Sequence, residues 1–185
     1  MQLLACVSAG IAAGLLAWMA VVFNGFIRRR NRLREAWSGV DVQLKRRHDL
    51  VPELVECVRG YRDHERALLE EVSQARLRAV SAQGADGAAE AEGGLATQLR
   101  ALLAVVEAYP DLKANQGFQD LRSNLVEIEE QLQYARRYYN GSVRDYNILV
   151  ESFPSQIIAR LFGFKSAAFF EIGSALERQA QVVRL

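Results

Sequence analysis

Residues 118–154 read FQDLRSNLVEIEEQLQYARRYYNGSVRDYNILVESFP. Phe118, Leu125, Leu132, Tyr139, Tyr146 and Phe153 fall seven apart without exception, and Leu121, Ile128, Ala135, Ser142 and Leu149 fill the second position of the same repeat. Spacings of three and four place both series on one face of a helix. The stretch therefore predicts an amphipathic helix of about 36 residues, roughly 54 Å long. Phe153-Pro154 ends it, because the residue before a proline is steered out of the helical region. Pro154 in turn suits the first turn of a short helix over Ser155–Phe162.

A stripe of that length must be covered by other helices, and the sequence upstream supplies them. Trp37, Leu44, Val51, Val58, Glu65 and Val72 form one series of sevens; Leu33, Val40, Arg47, Leu54, Tyr61, Leu68 and Ala75 form the other. They predict one long helix whose seam is interrupted by Arg47 and Glu65. Pro52 removes one helical hydrogen bond and crowds the preceding turn. A kink near His48–Pro52 follows, or a break with Asp49 capping a new start at Val51–Pro52, and the unchanged heptad phase favours the kink. Ser81–Gly94, with Gly84, Gly87, Gly93 and Gly94, reads as a loop that can turn helical again from Ala88. Leu95, Leu99, Leu102, Val106 and Tyr109 then give a shorter amphipathic helix stopped at Tyr109-Pro110.

The N-terminal residues are of another kind. Leu3–Ile27 carries no charge, and about 25 residues span roughly 37 Å, enough for a hydrocarbon core of about 30 Å. No basic residue precedes the apolar run, so it reads as an uncleaved anchor rather than a signal peptide. Leu3-Leu4-Ala5-Cys6 has the form of a lipoprotein box, but such a box follows a hydrophobic stretch and here it comes first. Arg28, Arg29, Arg30, Arg32 and Arg34 come directly after the span. By the positive-inside rule the N-terminus lies outside and the remainder in the cytoplasm, with the arginines in reach of anionic lipid. The expected organisation is an anchor over 1–29 (span about 3–27), a helical bundle over 30–172 and a tail over 173–185. The fold class is all-α: a transmembrane helix, then an antiparallel bundle of three long amphipathic helices plus a short C-terminal helix.

The net charge of +1 conceals an uneven distribution. From Arg28 to Arg47 eight Lys/Arg face Glu35 and Asp41; from His48 to Ala135 sixteen acidic residues outnumber eight basic ones. The basic cluster abuts the membrane and the distal part is acidic, which argues against nucleic acid as a partner. Cys6 and Cys57 do not make a disulfide framework, since one falls in the span and the other in a charged helix.

Catalysis finds little support. His48 and His64 are the two histidines, and His48-Asp49-Leu50-Val51-Pro52-Glu53 lacks the two-histidine i, i+4 spacing of a zinc-protease helix. No phosphate loop or nucleophile elbow is present. No cofactor, metal ligand or catalytic residue is assigned. Other polar groups stand out from a solvated face: Arg136, Arg137 and Arg144 lie beside Tyr139-Asn140 and Tyr146-Asn147, two Tyr-Asn pairs seven apart. They can fix the register of a bundle by hydrogen bonding or recognise a partner. Ala159–Lys165, with Phe162 and Phe164, and Phe169-Phe170 either cap the bundle or dock on a membrane or partner.

Several of these blocks together resemble the LemA family of bacterial membrane proteins. They are Glu35-Ala36-Trp37, Asp41 through Pro52, Leu54-Val55, Ala108-Tyr109-Pro110-Asp111-Leu112-Lys113-Ala114-Asn115, Ala135-Arg136-Arg137 with Tyr139-Asn140, Tyr146-Asn147, Phe153-Pro154, Ala159 through Lys165 and Phe170-Glu171. The resemblance covers Leu33 to Glu171 and implies an N-terminal transmembrane helix with an outward N-terminus and a cytoplasmic helical bundle. It implies no catalytic residues. Gly117 departs from the family pattern and is expected to delay the third helix until Phe118; the tail Gly173–Leu185 falls outside the family core.

The expectation is a non-catalytic, membrane-tethered scaffold or adaptor at the bacterial inner membrane, whose partners are the bilayer and one or more proteins. Two alternatives remain: a metal-dependent or enzymatic accessory factor using His48, Asp49 and Glu53, and a homo-oligomeric membrane organiser built on exposed heptad positions.

Overall fold

The computed structural model describes residues 1–60 and 66–171. The heptad positions Tyr61 and Glu65, the second histidine His64 and the tail 173–185 lie outside the described residues. No strand occurs among the described residues, which form α1 (Gln2–Arg59), α2 (Arg66–Ser81), α3 (Gly84–Val106), α4 (Pro110–Lys113), α5 (Gln116–Glu151) and α6 (Ser155–Phe162). Two compact units are distinguished. One comprises Met1–Trp37 and Tyr138–Ala167; the other comprises Ser38–Arg137 and the described residues from Ala168.

In the second unit the heptad residues become the core. Val51, Leu54 and Val58 of α1, Val72 and Ala75 of α2, Leu95 and Leu102 of α3, Leu112 of α4 and Phe118 and Ile128 of α5 are all buried. Each fully buried leucine among them contributes about 1.5–3 kcal/mol relative to exposure. The expected first helix is divided: α1 ends at Arg59, with the Gly60 N–H returning to the Glu56 carbonyl, and α2 begins at Arg66. Helix α1 is continuous through Pro52, so a break with a new start at Val51 does not occur.

The reading of Ser81–Gly94 as a loop is corrected. Only Ala82–Gln83 separate α2 from α3, and the four glycines 84, 87, 93 and 94 are helical. Gly84 turns the chain into α3 with φ of 74°, a value that costs glycine little. Beyond it Ala88, Glu92, Leu95, Leu99, Leu102 and Val106 are buried at steps of four and three. Burial of that stripe against α2 outweighs the weak helix propensity of glycine, about 1 kcal/mol per residue. Helix α3 stops at Val106, three residues before Tyr109, and Pro110 opens α4 instead of merely ending α3. Gly117 does not delay α5 either. The Asn115 side chain accepts from the Phe118 N–H at 3.0 Å, an N-cap that starts the helix at Gln116.

The first unit is built on α1, the C-terminal part of α5 and α6. Phe26, Tyr146, Ile158 and Ala159 are its buried centre, flanked by Met19, Val22, Leu33, Leu149 and Phe164. The corner at Ser152–Pro154 joins α5 to α6, with a cis Phe153–Pro154 peptide. The Ser155 hydroxyl lies 2.7 Å from the Leu149 carbonyl and 2.9 Å from that of Ser152, answering acceptors that the end of α5 leaves open. Gly163, at φ of 71°, closes α6 in the left-handed conformation, and the Phe164 N–H donates to the Ala159 carbonyl at 2.9 Å.

Helix α1 holds one stretch long and apolar enough to cross a membrane. From Gln2 to Val21 no described side chain is buried; partial cover by protein begins at Met19 and is complete at Phe26.

Candidate interaction sites and the buried charge cluster

Two heptad positions of the second unit carry charge where apolar residues are required. Arg47 occupies the α1 stripe between Leu44 and Val51, and Glu92 occupies the α3 stripe between Ala88 and Leu95; both are at most 1 % exposed. They answer each other: Arg47 Nη1 donates to Glu92 Oε2 at 3.2 Å. Arg47 Nη2 reaches Glu129 Oε1 of α5 at 3.0 Å, and His48 Nε2 lies 2.5 Å from the other Glu92 oxygen. The cluster thus ties three helices through one guanidinium. Its geometry is incomplete at one atom, since Arg47 Nε has no hydrogen-bond partner among the described residues.

Next to this cluster the Pro52 problem is resolved. Proline has no N–H, so the carbonyl four residues back, that of His48, loses its helical partner. Arg76 Nε of α2 donates to that carbonyl at 2.6 Å. A side chain from a neighbouring helix thereby satisfies the acceptor, and α1 passes through Pro52 unbroken.

The metal-centred alternative required His48, Asp49 and Glu53 to converge, and they do not. His48 turns to Glu92 while Asp49 and Glu53 are exposed. Among the described residues no group of three or more His, Cys, Asp or Glu is arranged to hold a metal ion. Tyr109 packs against the core beside Leu112, and Pro110 is exposed at the start of α4.

The two Tyr-Asn pairs are placed in the first unit. Tyr139 is buried with its ring 5.1 Å from that of Trp37, edge to face, and Tyr146 is buried with its ring 6.4 Å from that of Phe26. Burial pushes the Tyr146 phenol above the usual tyrosine range, and nearby Arg30 opposes that shift. Asn147 makes a two-way pair with the backbone of Ala167, donating from Nδ2 to its carbonyl at 2.9 Å and accepting from its N–H at 2.8 Å. Asn140 is half-buried. Of the arginines, Arg136 donates to Gln133, Arg137 lies over the Tyr134 ring at 4.7 Å, and Arg144 is exposed.

The aromatic residues after α5 divide between core and surface. Phe164 stacks on Phe26 with centroids 4.6 Å apart, and Phe162 meets Phe23 at 4.9 Å. Phe153 stays 76 % exposed. The topology arginines Arg28, Arg29, Arg30, Arg32 and Arg34 are all exposed on α1. The Arg47–Glu92 pair, the Arg76–His48 bond and the Asn147–Ala167 clamp escaped the sequence reading. Arg47 as a charge in the seam and Asn147 beside Tyr146 were the residues that hinted at them.

The sequence model of the LemA family matches residues 36–184, and so includes the tail that the resemblance had left outside the family core. Among curated relatives, magnetosome protein MamQ 2 of Paramagnetospirillum magneticum is 25 % identical over 182 residues, covering 84 % of this chain and 67 % of its own length. Magnetosome protein MamQ of Magnetospirillum gryphiswaldense is 24 % identical over 195 residues, covering 91 % and 72 %. Protein LemA of Metamycoplasma hominis is 24 % identical over 159 residues, covering 84 % and 71 %.

Proposed function

The chain belongs to the LemA family, and from that membership and the mutual pairing of its buried charged side chains we infer that it is a membrane-tethered scaffold rather than a catalyst. The observation that carries this reading is the Arg47–Glu92–His48 cluster. Side chains of the kind that do acid–base chemistry are spent there on one another, with Glu92 and Arg47 closed to solvent. A catalytic group must reach its substrate; these hold helices together instead.

The anchor belongs to the same reading. Cleavage after the apolar run would remove Phe26, a fully buried residue of the first unit, so the apolar segment is retained as a membrane span. The five arginines after it hold the C-terminal part in the cytoplasm of a bacterial cell, with the N-terminus outside the inner membrane. The acidic second unit then presents its outer helical faces to cytoplasmic proteins.

Photoreactive amino acids placed singly at the exposed positions Val42, Leu77, Val126 and Tyr134 of the full-length chain in its native membrane test this. A scaffold yields discrete protein adducts from neighbouring positions of one face. Adduct-free chains at every exposed position would overturn it.

A further inference from the structure

Helix α6 has a second face that stays largely in water. Ser155, Ile158 and Ala159 are buried, whereas Ile157 and Leu161, four residues apart, are 55 % and 66 % exposed; Phe162 at the end of the helix is 48 % exposed, and Phe153 in the corner before it 76 %. Ile157 and Leu161, one turn apart on α6, form an apolar stripe in water, with Phe153 exposed just before the helix and Phe162 half-exposed at its end. We propose that this stripe lies in the headgroup region of the bilayer leaflet from which α1 emerges, with anionic lipid as its partner.

Depth along α1 argues for that occupant. The stretch Gln2–Val21, about 20 residues of which Met19 alone among the described side chains is half-covered, measures roughly 30 Å, the thickness of the hydrocarbon core. The first ring contact of α1 comes two residues later, where Phe23 meets Phe162 at 4.9 Å and Phe164 at 5.8 Å. The C-terminal end of α6 is thus fastened at the depth where the span leaves hydrocarbon. Charge is complementary as well. Arg28, Arg29 and Arg30 on α1 and Arg160 and Lys165 around α6 are exposed, while the Glu151 carboxyl nearby accepts from Ser166 at 2.8 Å. An apolar stripe rimmed by cations is the pattern of a helix lying in an anionic interface.

The inference rests on reading Gln2–Val21 as a span, and the test separates the two. In full-length chain carrying Cys6→Ser and Cys57→Ala, a single environment-sensitive fluorophore is placed by Ile157→Cys, Leu161→Cys, Arg144→Cys or Val7→Cys. Each variant is reconstituted in vesicles of phosphatidylcholine and phosphatidylglycerol. The expected result is a several-fold brighter, blue-shifted signal at 157 and 161, quenched by nitroxides on shallow lipid positions and not by aqueous iodide, with position 144 quenched by iodide. Loss of lipid quenching at 161 on Ile157→Glu is expected too. Iodide quenching at 157 and 161, with position 7 still quenched by lipid, overturns the inference alone. A blue shift that rises with protein concentration and shows no lipid quenching assigns the stripe to a second copy of the chain and overturns it as well. Failure of lipid quenching at position 7 overturns the span.

Discussion

Arg76 donates from Nε to the backbone carbonyl of His48 at 2.6 Å, and that carbonyl is the one Pro52 leaves without a helical donor. The defect and its remedy lie on different helices. The bond makes α1 dependent on α2 at the point where α1 is weakest, and it converts a helix-breaking residue into a tertiary contact. It also lies one residue from Arg47, so the unpaired carbonyl and the buried charge are managed at the same level of the second unit.

A double-mutant cycle between Pro52 and Arg76 should show this coupling. Arg76→Met leaves a helical carbonyl without its charged donor, which costs about 1.5–3 kcal/mol. In a Pro52→Ala background the alanine N–H serves the His48 carbonyl, and the same Arg76→Met change should cost well under half as much. Urea unfolding of the full chain in detergent gives both values. Equal losses in the two backgrounds would refute the coupling.

Glu92→Gln should destabilise the second unit strongly, because it leaves a buried guanidinium with a neutral partner. Breaking a buried pair from one side costs about 3–5 kcal/mol, and the low end applies here since Glu129 still faces Arg47. Arg47→Met combined with Glu92→Leu removes both charges and restores the apolar stripe on each helix. The double variant should recover most or all of the lost stability, read as the midpoint of urea unfolding.

The sequence showed α5 and α6 well and this cluster poorly, for physical reasons. In α5 nearly every seam position is apolar, so periodicity alone reports the buried face, and Pro154 marks the start of α6. In α3 the stripe begins Ala88, Glu92, Leu95, and four glycines surround it; propensity and polarity both speak for a loop, and only packing against α2 overrides them. Arg47 was visible as a misfit. Its partner was not, because Glu92 lay inside the supposed loop, 45 residues away. The Arg76 bond ends on a backbone oxygen, which leaves no residue type in the sequence to recognise. Asn147 stood out beside Tyr146, yet its partner is again backbone, at Ala167.

Glycine substitutions should move stability in opposite directions on α3 and after α6. Gly93 is helical and a Cβ there would meet nothing within 4 Å, so Gly93→Ala should stabilise by about 0.5–1 kcal/mol. Gly163 holds φ of 71°, and Gly163→Ala should cost about 1 kcal/mol although the space is open. Thermal unfolding of the two single variants decides it; a destabilised Gly93→Ala would contradict a helix over that segment.

Tyr146 should make the first unit sensitive to alkali. Burial raises its folded-state pKa, so the folded protein prefers the neutral phenol more than the unfolded chain does. The resulting stability is fully present below the ordinary phenol pKa of about 10 and is lost as pH rises through the higher folded value. Tyr146→Phe should remove that alkaline loss, while Arg30→Gln should raise the folded pKa further by deleting the cation that favours phenolate. Absorbance titration at alkaline pH, tyrosine by tyrosine variant, follows both.

Orientation should follow the arginine cluster and not the apolar segment itself. Arg28, Arg29, Arg30, Arg32 and Arg34 are exposed and none of them appears in an ion pair of the described residues, so replacing all five by Gln should leave the helix intact. Glutamine keeps helix propensity close to that of arginine, and each residue removed should take away its share of the positive-inside bias on the proposed orientation. With lysines added after Met1 the bias reverses, and a sizeable fraction of chains should insert with the C-terminus outside. A C-terminal fluorescent protein active only in the cytoplasm, paired with a phosphatase active only outside it, reads the ratio. The wild-type chain should give fluorescence alone, the substituted chain a mixture. An unchanged ratio would mean that packing of Phe23 and Phe26 against Phe162 and Phe164, and not charge, commits the chain to its side of the membrane.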